Sequence, residues 1–370
     1  MPAPVHLAAT GCLTTFGDLE GTFAGLSEGA WPFGSGPGWA PGDLPVAQVH
    51  ADVGALDRHR TFALAKAALL PLYGLDGTGL AVVFATTTSA MLLGEDAIEQ
   101  HVQGQPVEVG EDLLCSHLAH RGAESVGDWI GATGPRLVVS TACTSGTVAF
   151  GIGADLLRAG RCRRVLVVGA DALCRTTVYG FRSLGAHTRT ACRPFDVDRD
   201  GMSIGEGAGF ALLELGEGET ELAGVATRTD AHHLTAPEPG GEGLIRAIRA
   251  ATRGFEPGEI DHVNAHATGT PTNDGVEARA LAVAAPGAWI SATKGATGHT
   301  LGAAGVIEAV LLAESMRRGI VPASRGCQNP IEGVAVANVP RARVQRLGVS
   351  VNLAFGGHNA ALALRFRGAA

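Results

Sequence analysis

This 370-residue sequence predicts an α/β protein built as two similar halves. Short apolar runs rich in β-branched residues alternate with segments of helical period along the chain, as in sheets covered by helices. The theme of a strand followed by a small-residue turn and a further apolar segment occurs around Cys143 and again over 347–366. A polar break at 216–220 divides the chain, giving halves 1–218 and 219–370. With 46% hydrophobic and 17% charged residues there is ample material for a large core.

Taken in order, residues 5–11 read as a first strand and 16–26 as a short helix. Residues 31–43, with Gly34-Ser-Gly-Pro-Gly38 at their centre, follow neither period and read as a loop. A helix is expected over 60–72 and a buried strand at Leu80-Ala-Val-Val-Phe84, with 97–101 inside another helix. Arg136-Leu-Val-Val139 is a strand-like run that ends abruptly in small residues. Apolar positions at Val148, Ile152, Leu156 and Leu157, with Gly160 beyond them, predict a helix after it. Strands are expected at 164–168, 209–215, 222–227 and 262–265, and helices at 244–252 and 276–285. A glycine-rich loop from Ser291 runs into an apolar helix ending near Met316, and 347–353 and 360–366 close the chain as strands about the turn Phe355-Gly-Gly357.

Cys143 falls where the strand gives way to the helix. A thiol there faces unpaired backbone N–H groups and the positive end of the helix dipole, which favour the nucleophilic thiolate. An isolated cysteine in such a place is more often a small buried residue, and most of the thirteen histidines must be surface or core residues. Two histidines, however, lie in small-residue loops beside predicted elements: His266 in Val263-Asn-Ala-His-Ala-Thr-Gly-Thr-Pro271, and His299 in Lys294-Gly-Ala-Thr-Gly-His-Thr-Leu-Gly302. Loops of this composition leave room for an imidazole to project into a cavity.

These segments carry a resemblance. Thr141-Ala-Cys-Thr-Ser-Gly146, Asp198-Arg-Asp-Gly201 with Gly205-Glu-Gly-Ala-Gly209, His266-x-Thr-x-Thr-x-x-x-Asp274, Lys294 with His299, Gly302-Ala-Ala-Gly305 with Glu308, and Phe355-Gly-Gly-His-Asn-Ala360 occur in that order. Together they resemble the elongating, two-histidine class of β-ketoacyl-acyl-carrier-protein synthases, nearly continuously from Leu137 to the C-terminus. The resemblance implies a thiolase-like duplicated fold in α-β-α-β-α layers. It implies decarboxylative condensation of an acyl group held on Cys143 with a malonyl thioester, in fatty-acid or polyketide elongation. His266 and His299 would then be N–H donors to the enolate oxygen, with Lys294 and Glu308 paired behind them. Asp274 would support the site, Phe355 would be its gate, Thr268 and Thr270 would contact the phosphopantetheine arm, and Thr235 would be a further substrate-binding residue. The acyl-transfer oxyanion would lie between the N–H groups of Cys143 and Phe355. No bound cofactor or metal is implied; the substrates ride on acyl-carrier protein. Its docking is expected on Arg58, Arg60, Lys66 and Arg193. A self-dimer is expected through the strand at 164–168, with a heterodimer as the alternative. The rival reading is a non-catalytic, chain-length-setting partner, which typically lacks the nucleophilic cysteine.

Composition narrows the field. A net charge of −8 and 5% aromatic content argue against nucleic-acid or anionic-membrane binding. Seven cysteines without metal-ligand spacing, and no basic-then-apolar leader, point to the cytoplasm. Ser291-Ala-Thr-Lys294 lacks the companion motifs of penicillin-recognising enzymes, the glycine patterns lack nucleotide-binding spacing, and His117 with His120 reads as a surface pair. Cys327 lacks the context of a degradative thiolase's second cysteine. The chain is shorter than is usual for the class before Cys143 and around 183–193, and Ala354 stands where a glycine usually precedes the gating phenylalanine.

Overall fold

The computed structural model describes residues 3–28, 32–110, 113, 115 and 117–368; Trp31, in the expected loop 31–43, lies outside them. Its strands are Val5–Leu13 (β1), Leu80–Ala85 (β2), Arg136–Val139 (β3), Arg164–Asp171 (β4), Gly207–Leu215 (β5), Thr220–Thr229 (β6), His262–Asn264 (β7), Trp289–Ser291 (β8), Ile320–Val321 (β9), Ala335–Val336 (β10), Arg341–Ala342 (β11), Leu347–Ala354 (β12) and His358–Phe366 (β13). Among the described residues eleven of these hydrogen-bond in the order β10-β8-β7-β12-β13-β6-β1-β5-β4-β2-β3.

The order repeats itself about the centre. Outward from β1 come β5 and β4, each antiparallel to its predecessor, then β2 and β3 in parallel. Outward from β6 come β13 and β12, again antiparallel, then β7 and β8 in parallel. The two arms meet at the β1–β6 pairing of His6 with Glu221. Between them lie the helices Ser145–Arg158 and Ala304–Arg318, each packed on strands of both arms. Helices Arg60–Ala68 and His120–Trp129 cover the outer face of one arm, and Glu242–Ala251, backed by Pro271–Ala284, covers the other. This makes five layers. The central helices touch through backbone: a Cβ on Gly146 would lie 2.5 Å from Val306 N, and one on Gly305 2.5 Å from Thr147 N. Glycine at both positions brings the start of the Cys143 helix against the start of the helix that follows His299.

Several expectations shift. The helix foreseen over 60–72 ends at Ala68 and continues as a 3-10 turn, Leu70–Leu72, because Pro71 has no N–H to extend the ladder. The first helix starts at Leu19, where Asp18 Oδ1 accepts from Gly21 N at 2.9 Å. Helix Arg175–Ser183 was not foreseen; its residues Arg-Thr-Thr-Val-Tyr-Gly-Phe-Arg-Ser hold few apolar positions, and only Val178 is buried. His117 lies in a turn and His120 begins a helix, both exposed. The expected dimer strand is corrected: 164–168 belongs to β4, an interior strand paired on both sides by β5 and β2, with Val165 to Val168 fully buried. The sheet's outer edge on that side is β3, where Leu137 is 39% exposed. No described helix is long and apolar enough to cross a membrane.

Candidate active site

Three strained residues mark the site. Of the non-glycine residues with positive φ, Ala142 (53°) precedes Cys143, Ala267 (26°) follows His266, and Leu301 (52°) lies two beyond His299. Such conformations persist only where surrounding bonds hold them. Around Ala142 they do: Ser145 Oγ accepts from Thr141 N at 2.8 Å and donates to Ala142 O at 2.6 Å, while Thr144 Oγ1 donates to Thr141 O at 2.6 Å. The result is a sharp turn that presents Cys143, half-buried, to a cavity of about 490 Å³.

His266, His299, Thr268, Thr270, Thr235 and Phe355 line the same cavity. His299 Nε2 is 2.9 Å from Cys143 Sγ, and the two imidazoles stand edge to face with centroids 5.3 Å apart. Leu301 N donates to His299 Nδ1 at 3.3 Å, so Nδ1 keeps its lone pair and Nε2 carries the proton. Burial, reinforced by the Lys294 charge, holds both histidines well below the usual imidazole range, so both are neutral at neutral pH.

Burial opposes the expected bias toward thiolate. Burial pushes the Cys143 thiol up to about 12, outweighing the Lys294 charge and the Cys143 backbone N–H, which act the other way. The helix begins at Ser145 with Thr144 as its cap, so its dipole acts on Cys143 from one residue outside the cap.

Behind the histidines runs a sealed polar layer. Lys294 Nζ bonds Glu308 Oε1, Asn352 Nδ2 donates to Glu308 Oε2 at 2.7 Å, and Asn352 Oδ1 accepts from Thr147 Oγ1 at 2.5 Å. Every member is buried. This layer ties the His299 loop to the Cys143 helix and to β12. Asp274 accepts from Phe195 N at 2.8 Å and Gly269 N at 3.2 Å; its carboxyl is raised to about 6 by burial.

Sequence reasoning missed three buried acids. Glu277 accepts from His266 N and Ala267 N, both at 2.7 Å, and burial followed by the Asp274 charge raises it to about 8. Its signal was available: in helix Pro271–Ala284 it shares a face with Ala280, Leu281 and Ala284. Asp171 gathers Thr86 Oγ1 (2.6 Å), Thr87 N (2.9 Å), Thr88 N (2.9 Å) and Gly302 N (2.7 Å), fixing the loop beyond His299. Glu206 anchors Val49 N at 2.9 Å and Leu173 N at 3.1 Å.

Glu206 also corrects one docking residue. Arg60 is paired with it through Nε at 2.9 Å and through Nη2, which also donates to Val49 O at 2.8 Å. Lys66 is likewise paired with Asp57 at 2.7 Å and buried. Both charges are spent inside the fold. Arg58 is exposed beside a second, polar cavity it shares with Lys66, Asp57 and Glu124, and Arg193 lies 3.8 Å from Asp200. None of the four lines the Cys143 cavity. Phe355, 43% exposed, rests against Phe181 at 5.7 Å between centroids, and its turn is clasped by Gly356 N donating to Leu234 O at 2.7 Å and Asp230 N to Gly357 O at 2.8 Å. Among the described residues no group of three or more His, Cys, Asp or Glu side chains is placed to hold a metal ion.

Residues 60–217 match the family described as beta-ketoacyl synthase, N-terminal domain, and residues 220–328 its C-terminal domain. A 3-oxoacyl-[acyl-carrier-protein] synthase 2 from Synechocystis is 33% identical over 322 residues, spanning 80% of this chain and 77% of that protein. A ketosynthase solved in complex with its chain length factor, from Xenorhabdus doucetiae, gives a TM-score of 0.86 at 29% identity over 98% of both chains. The ishigamide ketosynthase/chain length factor gives 0.87 at 28% identity over the whole of both.

Proposed function

We propose, from the premise that this chain belongs to the β-ketoacyl synthase family, that it condenses an acyl group on Cys143 with malonyl-acyl-carrier protein. The observation that carries this reading is Cys143 Sγ 2.9 Å from His299 Nε2, in one cavity with His266. In the first step the Cys143 sulfur attacks the acyl thioester carbonyl; the pantetheine sulfur leaves and takes up the proton that Cys143 gives up. No net proton is lost, so a thiol that rests protonated suits the exchange, and His299 Nε2–H stabilises the sulfur as its charge develops. In the second step the malonyl C–C bond breaks, carbon dioxide departs, and the electron pair passes to the thioester oxygen. N–H groups of His266 and His299 hold that enolate oxygen. The enolate carbon attacks the acyl carbonyl, and the C–S bond to Cys143 breaks to return the free thiol after protonation.

Lys294 and Glu308 hold the layer behind the histidines, Asp274 and Glu277 fix the His266 loop, and Phe355 gates the cavity. Thr268, Thr270 and Thr235 line the path of the phosphopantetheine arm. The chain divides at 218/219 into a half bearing the nucleophile and a half bearing the histidines, and it works in the cytoplasm. Retention of Cys143 favours the catalytic reading over a chain-length-setting partner. Carrier docking is assigned to Arg58, which is exposed, and to Arg193, half-buried 3.8 Å from Asp200.

Acylation tests this directly. Incubation with an acyl-pantetheine thioester and peptide mapping should find the acyl group on Cys143, which among the described cysteines is the one lining the cavity with His266 and His299, while Cys12, Cys174, Cys192 and Cys327 are buried. Labelling of Cys174 or Cys192 with Cys143 untouched would remove the assignment.

We place the dimer at β3, whose outer edge is exposed and which a second synthase-like chain can extend. A Leu137→Glu substitution should convert the dimer to monomer in light scattering at micromolar concentration. An unchanged dimer would put the interface elsewhere.

A further inference from the structure

The turn carrying Phe355 returns into β13 at His358, whose backbone pairs with Ala354 across the hairpin. Its half-buried ring lines the cavity that holds Cys143, His266 and His299. Nδ1 lies 2.8 Å from Oγ1 of Thr144, the fully buried residue that follows the nucleophile and caps its helix. The direction of this bond follows from the single hydroxyl proton of Thr144. Thr141 O, at 2.6 Å, can only accept, so it takes that proton. Thr144 Oγ1 must then accept from Nδ1–H. Burial lowers the His358 pKa, leaving the ring neutral at neutral pH. With its proton on Nδ1, Nε2 is left as a lone pair, and it has no hydrogen-bond partner among the described residues.

The ring thus brings an acceptor to a cavity in which His299 presents Nε2–H instead. The carbonyls and the malonyl carboxylate of a pantetheine thioester also accept hydrogen bonds. Its donors are the amide N–H groups and the hydroxyl of the arm. We propose that His358 positions the substrate by accepting, at Nε2, a hydrogen bond from the arm's amide N–H nearest the thioester sulfur, with Thr144 setting the tautomer. The inference rests on the preceding reading of a pantetheine thioester as substrate. It adds the element that orients the arm in the channel and links that orientation to the residue beside the nucleophile.

Equilibrium binding separates this from a merely structural contact. Calorimetry would compare pantetheine with an isosteric analogue in which that amide is an ester, which keeps the shape and removes the donor. The full-length protein should prefer pantetheine by on the order of tenfold, the cost of one unmade buried hydrogen bond. His358→Leu should lose that preference by weakening pantetheine alone. His358→Gln, whose amide oxygen accepts, should keep most of it. Equal weakening of both ligands by His358→Leu, or no preference in the parent, would overturn the proposal. Malonyl decarboxylation by the parent protein tests the function separately: activity without discrimination removes His358 from its role, and discrimination without activity removes the catalytic reading.

Discussion

A Cys143→Gln protein should make no condensation product, while decarboxylating malonyl-acyl-carrier protein at or above the parental rate. The sulfur, beside His299 in the cavity, is the atom proposed to carry the acyl group, so its removal takes away the covalent intermediate. Decarboxylation asks nothing of the sulfur. It needs the enolate oxygen held, and His266 and His299 remain. The glutamine amide is close in size to a thioester and neutral, so the cavity resembles its acylated form, the state in which malonyl is meant to react. Carbon dioxide release and β-ketoacyl product would be measured on the same sample. Loss of both together, in a protein that keeps its melting temperature, would show that the sulfur takes part in decarboxylation and would break the two-step scheme.

The alternation of strands and helices was legible in the sequence because buried strands such as Leu80–Ala85 are continuous apolar runs of strand length. Cys143, His266 and His299 were found because each sits among residues too small to fill space. What stayed hidden is set by contacts distant in sequence. Glu277 looks like a solvated helix residue until the His266 loop is folded onto it, and Asp171 ends a strand whose partners lie about 85 and 131 positions away. The same blindness misled in the other direction: Arg60 and Lys66 read as surface cations because Glu206 and Asp57 were not visible as their partners. The burial that opposes the thiolate at Cys143 stayed hidden for a related reason, since the helix terminus is local and that burial is not. The dimer strand was likewise chosen by its hydrophobicity. A fully apolar strand such as β4 is the one a sheet places inside, and the half-covered β3 is the one left at the edge.

Replacing either His266 or His299 with alanine should reduce malonyl decarboxylation by about a hundredfold or more, the typical cost of losing one oxyanion donor, with much less effect on acylation of Cys143 by a pantetheine thioester. The two should differ in detail. His299 touches Sγ, so its loss should also slow acylation measurably, whereas His266 makes no hydrogen bond to the sulfur among the described residues and should leave it near the parental rate. The pH dependence makes the test sharper. A histidine acting as a proton acceptor with an ordinary pKa would lose activity as pH falls through 6.5. Here burial and the Lys294 charge depress both, so the neutral donors persist as the pH falls from 8 to 6. Decarboxylation by the Cys143→Gln protein should therefore be flat across that range. The same depression has a stability consequence. Between the unfolded value near 6.5 and the lowered folded values, the unfolded chain binds more protons, so the contribution is complete above pH 6.5 and declines as pH falls further. A decarboxylation rate that halved near pH 6.5 would mean that one imidazole titrates in the working range. Parental decarboxylation in either alanine variant would remove that histidine from the enolate site.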